Sequence, residues 1–334
     1  MKAVIPVAGA GTLLRPHTHT QPKPLVPVAG RPILGHIVTQ LLDAGVEELV
    51  FITGYLGEKI EDYVRTEFSH QVKCHFVAQD PREGSAHAIW VAREYLQDEP
   101  ELLIMLGDTI VEMDFGAFLR NPRTTVGIRK VAKPSFFGIA EMSDKPDLIK
   151  RLVEKPAIPK SNMGLVGVYK IKNVKLLFAS IQYLITQNQR INGEFFLTDA
   201  LQRMIEAGEE FTYQKVDQWY DCSQKRDLLS ANAILLNKSQ PEVHETADCT
   251  DSIIIPPVFI GANCKIEGSI VGPNVTIGAN SRVHHSILSD SIIGTYSHLE
   301  SAVLSKSIIG SDSRLVGLKQ SLNIGDNTEI NFMK

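Results

Sequence analysis

Short apolar runs alternate with helical segments from residue 1 to about residue 216. The runs KAVIPVA and ELLIMLGD are aliphatic, lack a helical period and lead into a glycine, so they are predicted to be buried strands. The segments ILGHIVTQLLDAG and GEKIEDYVRTEF repeat apolar residues at helical spacing and are predicted to be helices. This alternation predicts an α/β domain with a mostly parallel sheet and helices on both of its faces.

The pattern changes after the polar segment 239–251, which is predicted to be a linker between a first domain, 1–238, and a second, 252–334. In the second domain an aliphatic residue recurs about every six positions and is often followed by glycine, as in IGAN. These aliphatic positions are Ile260, Ile266, Val271, Ile277, Val283, Ile287, Ile293, Leu299, Ile309, Leu315, Ile324 and Ile330. Such a repeat is typical of a triangular parallel β-helix, whose aliphatic side chains stack inside, and is not expected of hairpins.

The 334-residue chain has an ordinary globular composition, with 43% hydrophobic and 22% charged residues and a formal net charge of −4. The mildly acidic total argues against a surface that coats nucleic acid, and no apolar run has the length of a membrane span or a signal-peptide core. We therefore expect a cytoplasmic protein that binds neither nucleic acid nor membrane. The cysteines lack CxxC spacing, so we expect reduced thiols and no zinc site; they are Cys74, Cys222, Cys249 and Cys264.

The first predicted strand runs directly into the glycine turn Gly9-Ala10-Gly11. At the carboxyl end of a parallel strand, such a turn exposes backbone N–H groups that can hold a phosphate or let a nucleotide approach closely. The turn lacks the third glycine of a dinucleotide-binding fingerprint, and no Gly-Lys-Ser/Thr follows it as in a P-loop. By itself, the pattern is equally compatible with a plain tight turn.

The whole stretch GAGTLLRPHTHTQPKPLVPVAGRP resembles the signature of the sugar-1-phosphate nucleotidylyltransferases, also called sugar-nucleotide pyrophosphorylases. The resemblance extends through both domains. It implies a Rossmann-like nucleotide-diphospho-sugar transferase domain followed by a hexapeptide-repeat domain, a left-handed parallel β-helix. The implied reaction transfers a nucleotidyl group from a nucleoside triphosphate to a sugar 1-phosphate and releases pyrophosphate. UTP or dTTP and glucose 1-phosphate are the favoured substrates. The flat faces and open ends of a β-helix also lead us to expect a homo-oligomer through this domain.

The resemblance assigns residues to the nucleotide side of the site. Lys23 lies between two prolines that restrict its backbone, and it is expected to be the catalytic cation beside the transferring phosphate. Gln79 and Gly84 match the positions that read the base, and an amide offers both a donor and an acceptor to an imide edge. Four residues in and beside the glycine turn are implied to bind the nucleotide: Ala8, Gly9, Gly11 and Thr12.

Two carboxylates are implied to bind Mg²⁺, and both follow predicted strands. Asp108 ends the run ELLIMLGD, where a side chain faces the ligand crevice of an open α/β sheet and can also act in catalysis. Asp221 matches the acidic position of a W-x-D motif. Two carboxylates with phosphate oxygens and water suit octahedral Mg²⁺. Without the resemblance, an aspartate at a strand end is more often a turn or helix cap.

The acceptor side is implied by the motifs LVEKP, FFGIAEM and NGEFFLTDA. Carboxylates suit a sugar because they accept hydrogen bonds from adjacent hydroxyl groups, and a lysine suits its phosphate. For Glu194 the alternative is a charge favoured by the first turn of a helix. The residues implied to bind the sugar phosphate are Gly138, Glu154, Lys155 and Glu194.

Two positions depart from the family pattern. Leu13 stands where the family usually has an arginine that contacts the triphosphate, and we expect Arg15 to take over that catalytic role. After Asp221, Cys222-Ser223 replace a small residue followed by glycine. The loss at Leu13 leaves a second hypothesis open, a catalytically weak regulatory or assembly subunit that binds a nucleotide-sugar.

Two further alternatives concern the substrates and the β-helix. The chain also has features of mannose-1-phosphate guanylyltransferases, so the base and sugar stay open. A bifunctional enzyme with acyltransferase activity in the β-helix is the other alternative. His284 and His285 are the only adjacent histidines there, and surface residues are the expected interpretation. His87 is expected to be a packed helix residue and not catalytic.

Overall fold

The computed structural model describes residues 1–238 and 240–317. The chain divides into two compact units, Met1–Ala231 and Asn232–Lys334. This division falls inside a helix, a few residues before the domain end that the sequence pattern predicted at residue 238. In the described ranges, no helix combines the length and the apolar character that a membrane span requires.

The first unit is built from strands and helices in alternation. Its strands are β1 Lys2–Pro6, β2 Pro27–Val28, β3 Arg31–Pro32, β4 Glu48–Thr53, β5 Lys73–Ala78, β6 Leu102–Met105, β7 Thr109–Glu112, β8 Thr124–Lys130, β9 Ile139–Met142, β10 Ile149–Val153, β11 Met163–Ile171, β12 Phe211–Lys215 and β13 Gln218–Asp221. Its helices are α1 Ile33–Asp43, α2 Gly57–Phe68, α3 Ser85–Val91, α4 Arg93–Leu96, α5 Phe115–Arg120, α6 Val174–Thr186, α7 Leu197–Glu206 and α8 Lys225–Lys238, the last of which continues into the second unit.

A nine-stranded sheet organises the first unit. Seven of its strands follow the order β10-β9-β11-β6-β1-β4-β5, and the other two form a branch in which β8 pairs with β11 and β12 pairs with β8. Strands β6, β1, β4 and β5 run parallel, so their carboxyl ends meet at one edge of the sheet. Strand β11 runs antiparallel to β6, β8 and β9. The predicted Rossmann-like α/β fold is confirmed, with a mixed sheet whose parallel half carries the glycine turn.

The central strands are buried on both faces, which explains their continuous aliphatic runs. All four residues of β6 are buried. Helices α3, α6 and α7 contribute apolar side chains to one cluster with β1, β6 and β11. Because this cluster fixes the central strands, the loops that follow them start from rigid positions.

The second unit stacks short strands into three parallel sheets. Its strands are β14 Glu242–Val243, β15 Asp248–Thr250, β16 Ile253–Ile254, β17 Val258–Ile260, β18 Lys265–Glu267, β19 Ile270–Val271, β20 Val275–Ile277, β21 Arg282–His284, β22 Ile287–Ser289, β23 Ile292–Ile293, β24 His298–Glu300, β25 Val303–Ser305, β26 Ile308–Ile309 and β27 Arg314–Val316. The sheets follow the orders β14-β17-β20-β23-β26, β15-β18-β21-β24-β27 and β16-β19-β22-β25. This stack confirms the predicted β-helix and is consistent with the left-handed form. The predicted inward positions Ile324 and Ile330 lie outside the described residues.

Two short strands lie within the segment 239–251, which the sequence pattern predicted to be a linker. Strand β14 pairs in parallel with β17, and β15 pairs in parallel with β18, so both belong to the β-helix. The segment is polar because most of its residues are exposed, while Cys249 packs against the internal stack. An outermost coil therefore has a composition that resembles a linker.

The coils of the β-helix are shorter than three hexads. Ile266 pairs with Val283, 17 residues further on, and Val283 pairs with Leu299, only 16 residues further on. The same register places Leu288 against Val271 inside the stack. Leu288 is fully buried, whereas Ile287 is 46% exposed. The prediction that Ile287 points inward is therefore wrong: adjacent strand residues face opposite sides, and the pairing register decides which one is inside.

Buried serines connect successive coils. Ser286 donates its backbone N–H to the hydroxyl of Ser269, and Ala302 donates its N–H to the hydroxyl of Ser286. The adjacent residues His284 and His285, by contrast, are not buried, and Nε2 of His284 lies 3.3 Å from a carboxylate oxygen of Glu267. The serine hydroxyls satisfy backbone groups at the corners, which the strands themselves leave unpaired.

We expect Leu288→Ala and Ile287→Ala to differ sharply in stability. Truncating the buried Leu288 leaves a cavity in the stack and should lower the free energy of unfolding by about 3 kcal/mol. The same truncation at Ile287 should cost less than about 1 kcal/mol, because that side chain faces outward. Calorimetric thermal unfolding of both variants measures the difference. Equal losses would contradict the register.

Candidate active site

An ion pair between Lys23 and Asp108 lies at the carboxyl edge of the parallel strands. Lys23 opens a 3₁₀ turn, Lys23–Leu25, after the extended Pro22. Its Nζ donates to Oδ2 of Asp108 at 2.5 Å, and the side chains are 12% and 37% exposed. Burial raises the pKa of the Asp108 carboxyl, but the charge and hydrogen bond of Lys23 outweigh burial and hold that pKa below its ordinary value.

Asp221 is brought beside this pair by a short antiparallel ladder. Strand β13 pairs with β7 so that Asp221 lies opposite Thr109, the residue after Asp108. Ser223 donates its backbone N–H to Oδ1 of Asp221 at 3.0 Å, and its hydroxyl donates to the same oxygen. Lys23 Nζ donates to the Ser223 hydroxyl at 3.1 Å. Burial, with a contribution from the charge of Asp108, raises the pKa of Asp221.

The chemistry of this group fits a divalent cation. Two carboxylates lie close enough for one to raise the pKa of the other, and the Lys23 ammonium lies between Asp108 and the hydroxyl that binds Asp221. Within 1–238 and 240–317, three or more His, Cys, Asp or Glu side chains are nowhere grouped so that they could hold a metal ion. Proteins commonly hold Mg²⁺ with one or two carboxylates together with substrate phosphates. Asp108 and Asp221 would supply these carboxylates.

The glycine turn packs directly on Lys23. Gly11 has a φ of 59°, and a Cβ built there would lie 2.8 Å from the Cβ of Lys23. The buried Thr18 donates its hydroxyl to the Gly11 carbonyl at 2.8 Å and holds the turn in place. Glycine is therefore required at position 11 both for its backbone angle and for its lack of a side chain.

Two adjoining clefts open at this edge. The larger, of about 470 Å³, contains the turn, the ion pair and the predicted base-reading positions; among its lining residues are Ala8, Gly9, Gly11, Thr12, Leu13, Lys23, Gln79, Arg82, Gly84, Asp108 and Glu194. The smaller, of about 270 Å³, has among its lining residues Phe137, Gly138, Glu154, Lys155, Thr198, Trp219 and Asp221. Ser85, Leu106, Asp108 and Ser223 line both clefts. Asp108 therefore lies where the two cavities meet.

The base-reading end of the larger cleft is held by close backbone contacts. Gln79 is only 5% exposed, and its Nε2 donates to the carbonyl of Gly84 at 2.9 Å. Gly84 has a φ of 102°, and a Cβ there would lie 2.5 Å from the carbonyl oxygen of Phe195. Phe195 in turn donates its N–H to the carbonyl of Glu83 at 2.8 Å. Residues far apart in the sequence thus form one rigid wall.

The smaller cleft presents a carboxylate and an ammonium. Glu154 accepts a hydrogen bond from the Thr198 hydroxyl at 2.6 Å. The Lys155 Nζ lies 3.8 Å from the other Glu154 oxygen and is half exposed, at 52%. At Gly138 an added Cβ would lie 3.1 Å from Glu154 Oε2, so the glycine allows this carboxylate its position. Glu194 is not with these residues: it lines the larger cleft.

Sequence reasoning missed two residues of the clefts. Arg82 lines the larger cleft, whereas Arg15 is exposed and is not among the described residues that line it. Trp219 lines the smaller cleft with its buried indole N–H unpaired among the described residues, and its ring packs on Phe137 with centroids 4.9 Å apart. A tryptophan two residues before Asp221 was the available signal. Nothing in the sequence around Arg82 distinguishes it from a surface charge.

Comparison with known proteins decides the family. A family model described as nucleotidyl transferase matches residues 2–238. The chain belongs to the nucleotidyl transferase family. The match covers the unit that contains both clefts and confirms that the chain is an enzyme of the transferase class.

Curated proteins of two kinds are similar to this chain. A bifunctional protein GlmU of Methanococcus vannielii is 35% identical over 249 residues, which cover 73% of this chain and 57% of that protein. A glucose-1-phosphate thymidylyltransferase of Streptomyces griseus is 31% identical over 295 residues, covering 80% of each chain. The chain thus spans little more than half the length of the GlmU relatives that it matches.

Solved structures share the fold of this chain. A UDP-glucose pyrophosphorylase in complex with UDP-glucose covers 71% of the chain with a TM-score of 0.62 and 22% identity. A glucose-1-phosphate thymidylyltransferase from Bacillus anthracis covers 70% with a TM-score of 0.60 and 23% identity. At these identities the likeness supports the fold.

The pH dependence of stability should report on Asp199, in the first turn of α7. Burial, reinforced by the charge of Glu154, raises the pKa of Asp199 from 3.8 to about 6. The folded protein therefore binds this proton more tightly than the unfolded chain, and stability is lost as the pH rises through 6. Relative to Asp199→Asn, the wild type should lose about 2 kcal/mol between pH 4 and pH 7. Urea unfolding at several pH values measures this difference, and a flat curve would contradict the shift.

Proposed function

We propose that this chain transfers a nucleotidyl group from UTP or dTTP to a sugar 1-phosphate, with glucose 1-phosphate favoured. The meeting of two clefts at Asp108, beside the Lys23 ammonium, is the observation that carries this proposal. An oxygen of the sugar phosphate attacks the α-phosphorus of the triphosphate, the bond from that phosphorus to the bridging oxygen breaks, and pyrophosphate leaves with the electron pair. The larger cleft would hold the triphosphate and the smaller one the sugar phosphate.

The protein's own contribution is to position the substrates and to stabilise charge. The N–H groups of the glycine turn from Gly9 to Thr12 would bind the phosphates, and Lys23 would stabilise the charge that develops on the transferring group. Lys155 would bind the sugar phosphate, while Glu154 would accept hydrogen bonds from sugar hydroxyls. When both substrates are bound in adjoining clefts, the translational and rotational entropy needed to bring the two anions together has already been lost on binding.

Asp108 and Asp221 would hold Mg²⁺, which when bound supplies positive charge to the phosphate oxygens. Lys23 also partly neutralises Asp108 through a direct hydrogen bond. The ladder between β7 and β13 keeps the two carboxylates together. Ser223 binds one oxygen of Asp221 through both its N–H and its hydroxyl, which orients the carboxylate.

A second candidate function is a catalytically weak subunit that binds a nucleotide-sugar. The observation in its favour is Leu13, which is 68% exposed and lines the triphosphate cleft where it contributes no charge. Arg82 lines the same cleft, so a guanidinium is available there from a different loop. Steady pyrophosphate release by the purified protein, tested with five nucleoside triphosphates against several sugar 1-phosphates, separates the two functions.

Replacing Lys23 by alanine should lower kcat far more than it raises KM. Its charge acts mainly in the transition state, and the loss of one such contact typically costs on the order of a hundredfold in rate. Steady-state pyrophosphate release with the preferred substrate pair measures both constants.

Two further variants make this experiment specific. Lys172→Ala is the matched control, because Lys172 pairs with Glu101 on the surface and should leave kcat within about twofold. Arg15→Ala tests the catalytic role that the sequence assigns to Arg15, and an unchanged rate would leave Arg15 as a surface charge. An unchanged kcat in Lys23→Ala would refute the role proposed for Lys23.

We also propose that copies of the chain associate through the β-helix. One outer face carries an apolar column, in which β16, β19, β22 and β25 place Ile253, Ile270, Ile287 and Val303 in register. Ile253 is 60% exposed and Val303 is 77% exposed. An identical column on a second copy is complementary to it, since a two-fold interface brings the same patch of each subunit together.

Charging the apolar column should dissociate the assembly. Ile287→Glu combined with Val303→Glu would place two carboxylates of each copy in a desolvated contact, so the variant should elute as a monomer. Thr250→Glu, on an outward position of a different sheet, is the matched control and should leave the mass unchanged. Size-exclusion chromatography with light scattering gives the mass. Equal masses for the wild type and the doubly charged variant would exclude this face as the contact.

A further inference from the structure

The amide of Gln79 makes two hydrogen bonds inside the wall of the larger cleft. Its Nε2 donates to the carbonyl oxygen of Gly84 at 2.9 Å. The same Nε2 lies 3.3 Å from Nδ1 of His87, the third residue of helix α3. The backbone N–H of Gln79 is bonded to the carbonyl of Thr53 at 2.8 Å, so the side chain extends from a fixed point.

These contacts define which end of the amide faces which group. A backbone carbonyl can only accept, so the amide group beside Gly84 must be the NH₂ and not the oxygen. With one hydrogen directed at Gly84 and the other at His87, both donors of the amide are used. The carbonyl oxygen Oε1 is then the part of Gln79 that is left for a ligand in the cleft that this residue lines.

The ring of His87 must carry its proton on Nε2 to accept this bond at Nδ1. Nε2 lies 3.8 Å from a carboxylate oxygen of Glu83, which favours a proton at that nitrogen. Arg190 donates to the other Glu83 oxygen at 2.7 Å and fixes the carboxylate. Burial lowers the pKa of His87 and outweighs the opposing charge of Glu83, so the ring is neutral at pH 7.

We propose that His87 is a positioning residue for base selection, which holds the Gln79 amide so that its carbonyl oxygen faces the base. This inference rests on the proposed function, because it assumes that the larger cleft binds the nucleoside triphosphate. The sequence pattern indicated only a packed helix residue at position 87. His87 contacts Gln79 and Glu83, and it is not among the described residues that line the cleft.

The orientation has a direct consequence for the bases that are accepted. An oxygen acceptor pairs with a ring N–H, which uracil, thymine and guanine carry. Cytosine and adenine present an unprotonated ring nitrogen at the equivalent edge. This nitrogen and Oε1 are both acceptors, so their lone pairs would repel each other. A flipped amide would suit them, but flipping would set Oε1 against the acceptors of both Gly84 and His87.

Two variants of equal shape separate positioning from packing. His87→Asn retains an acceptor where Nδ1 lies, because Asn Oδ1 occupies the same place along the side chain, whereas His87→Leu has similar size and no acceptor. The measurement is the ratio of the dissociation constants of UTP and CTP, obtained by titration calorimetry without sugar phosphate. His87→Leu should reduce the preference for UTP about tenfold, the loss typical of one hydrogen bond. His87→Asn should stay within about twofold of the wild type.

The outcomes are distinguishable. A ratio unchanged in His87→Leu, or reduced equally in both variants, overturns the positioning role, since packing alone would not depend on the acceptor. His87→Ala, which removes the acceptor without adding an apolar group, gives the same test should the leucine variant not fold. A wild type that binds neither UTP, dTTP nor GTP and releases no pyrophosphate overturns the proposed function, and this inference with it. A wild type that binds and turns over UTP while His87→Leu keeps its ratio overturns this inference alone.

Discussion

The ion pair between Lys23 and Asp108 is the contact on which the candidate site depends. It joins a loop near the start of the chain to the residue that follows β6, and its partners lie 2.5 Å apart. Through the Ser223 hydroxyl, the same ammonium reaches the carboxylate of Asp221. One cation therefore holds together two acids that would otherwise repel each other. A metal ion would likewise supply positive charge to these two carboxylates, and it would bind the phosphates of a triphosphate at the same time.

Close backbone approaches make the surrounding loops rigid. Gly11 lies against the stem of Lys23, and Gly84 lies against the backbone of Phe195, at distances that leave no room for a Cβ. Such contacts connect segments that are remote in sequence without relying on flexible side chains. These contacts restrain the walls of the cleft, and a restrained wall loses less entropy when a ligand binds.

The β-helix obeys a different constraint, the alignment of successive coils. Coils of 17 and then 16 residues keep Ile266, Val283 and Leu299 stacked in one register. Asn263 and Asn280 take left-handed backbone angles at corners and bond to each other across coils at 3.2 Å. Polar corners thus preserve an apolar interior while leaving one outer face apolar.

Local pattern in the sequence determined the alternating α/β unit, the repeated coils and the motifs around Lys23, Asp108 and Gln79, because periodicity and short motifs are properties of neighbouring residues. It did not determine that Ile287 faces outward or that residues 242–243 and 248–250 form strands, because strand register is set by partners on another coil. It also could not show that Arg82 lines the cleft while Arg15 does not, or that His87 binds Gln79. These contacts join residues from different loops and elements, and only tertiary packing decides which of their side chains meet.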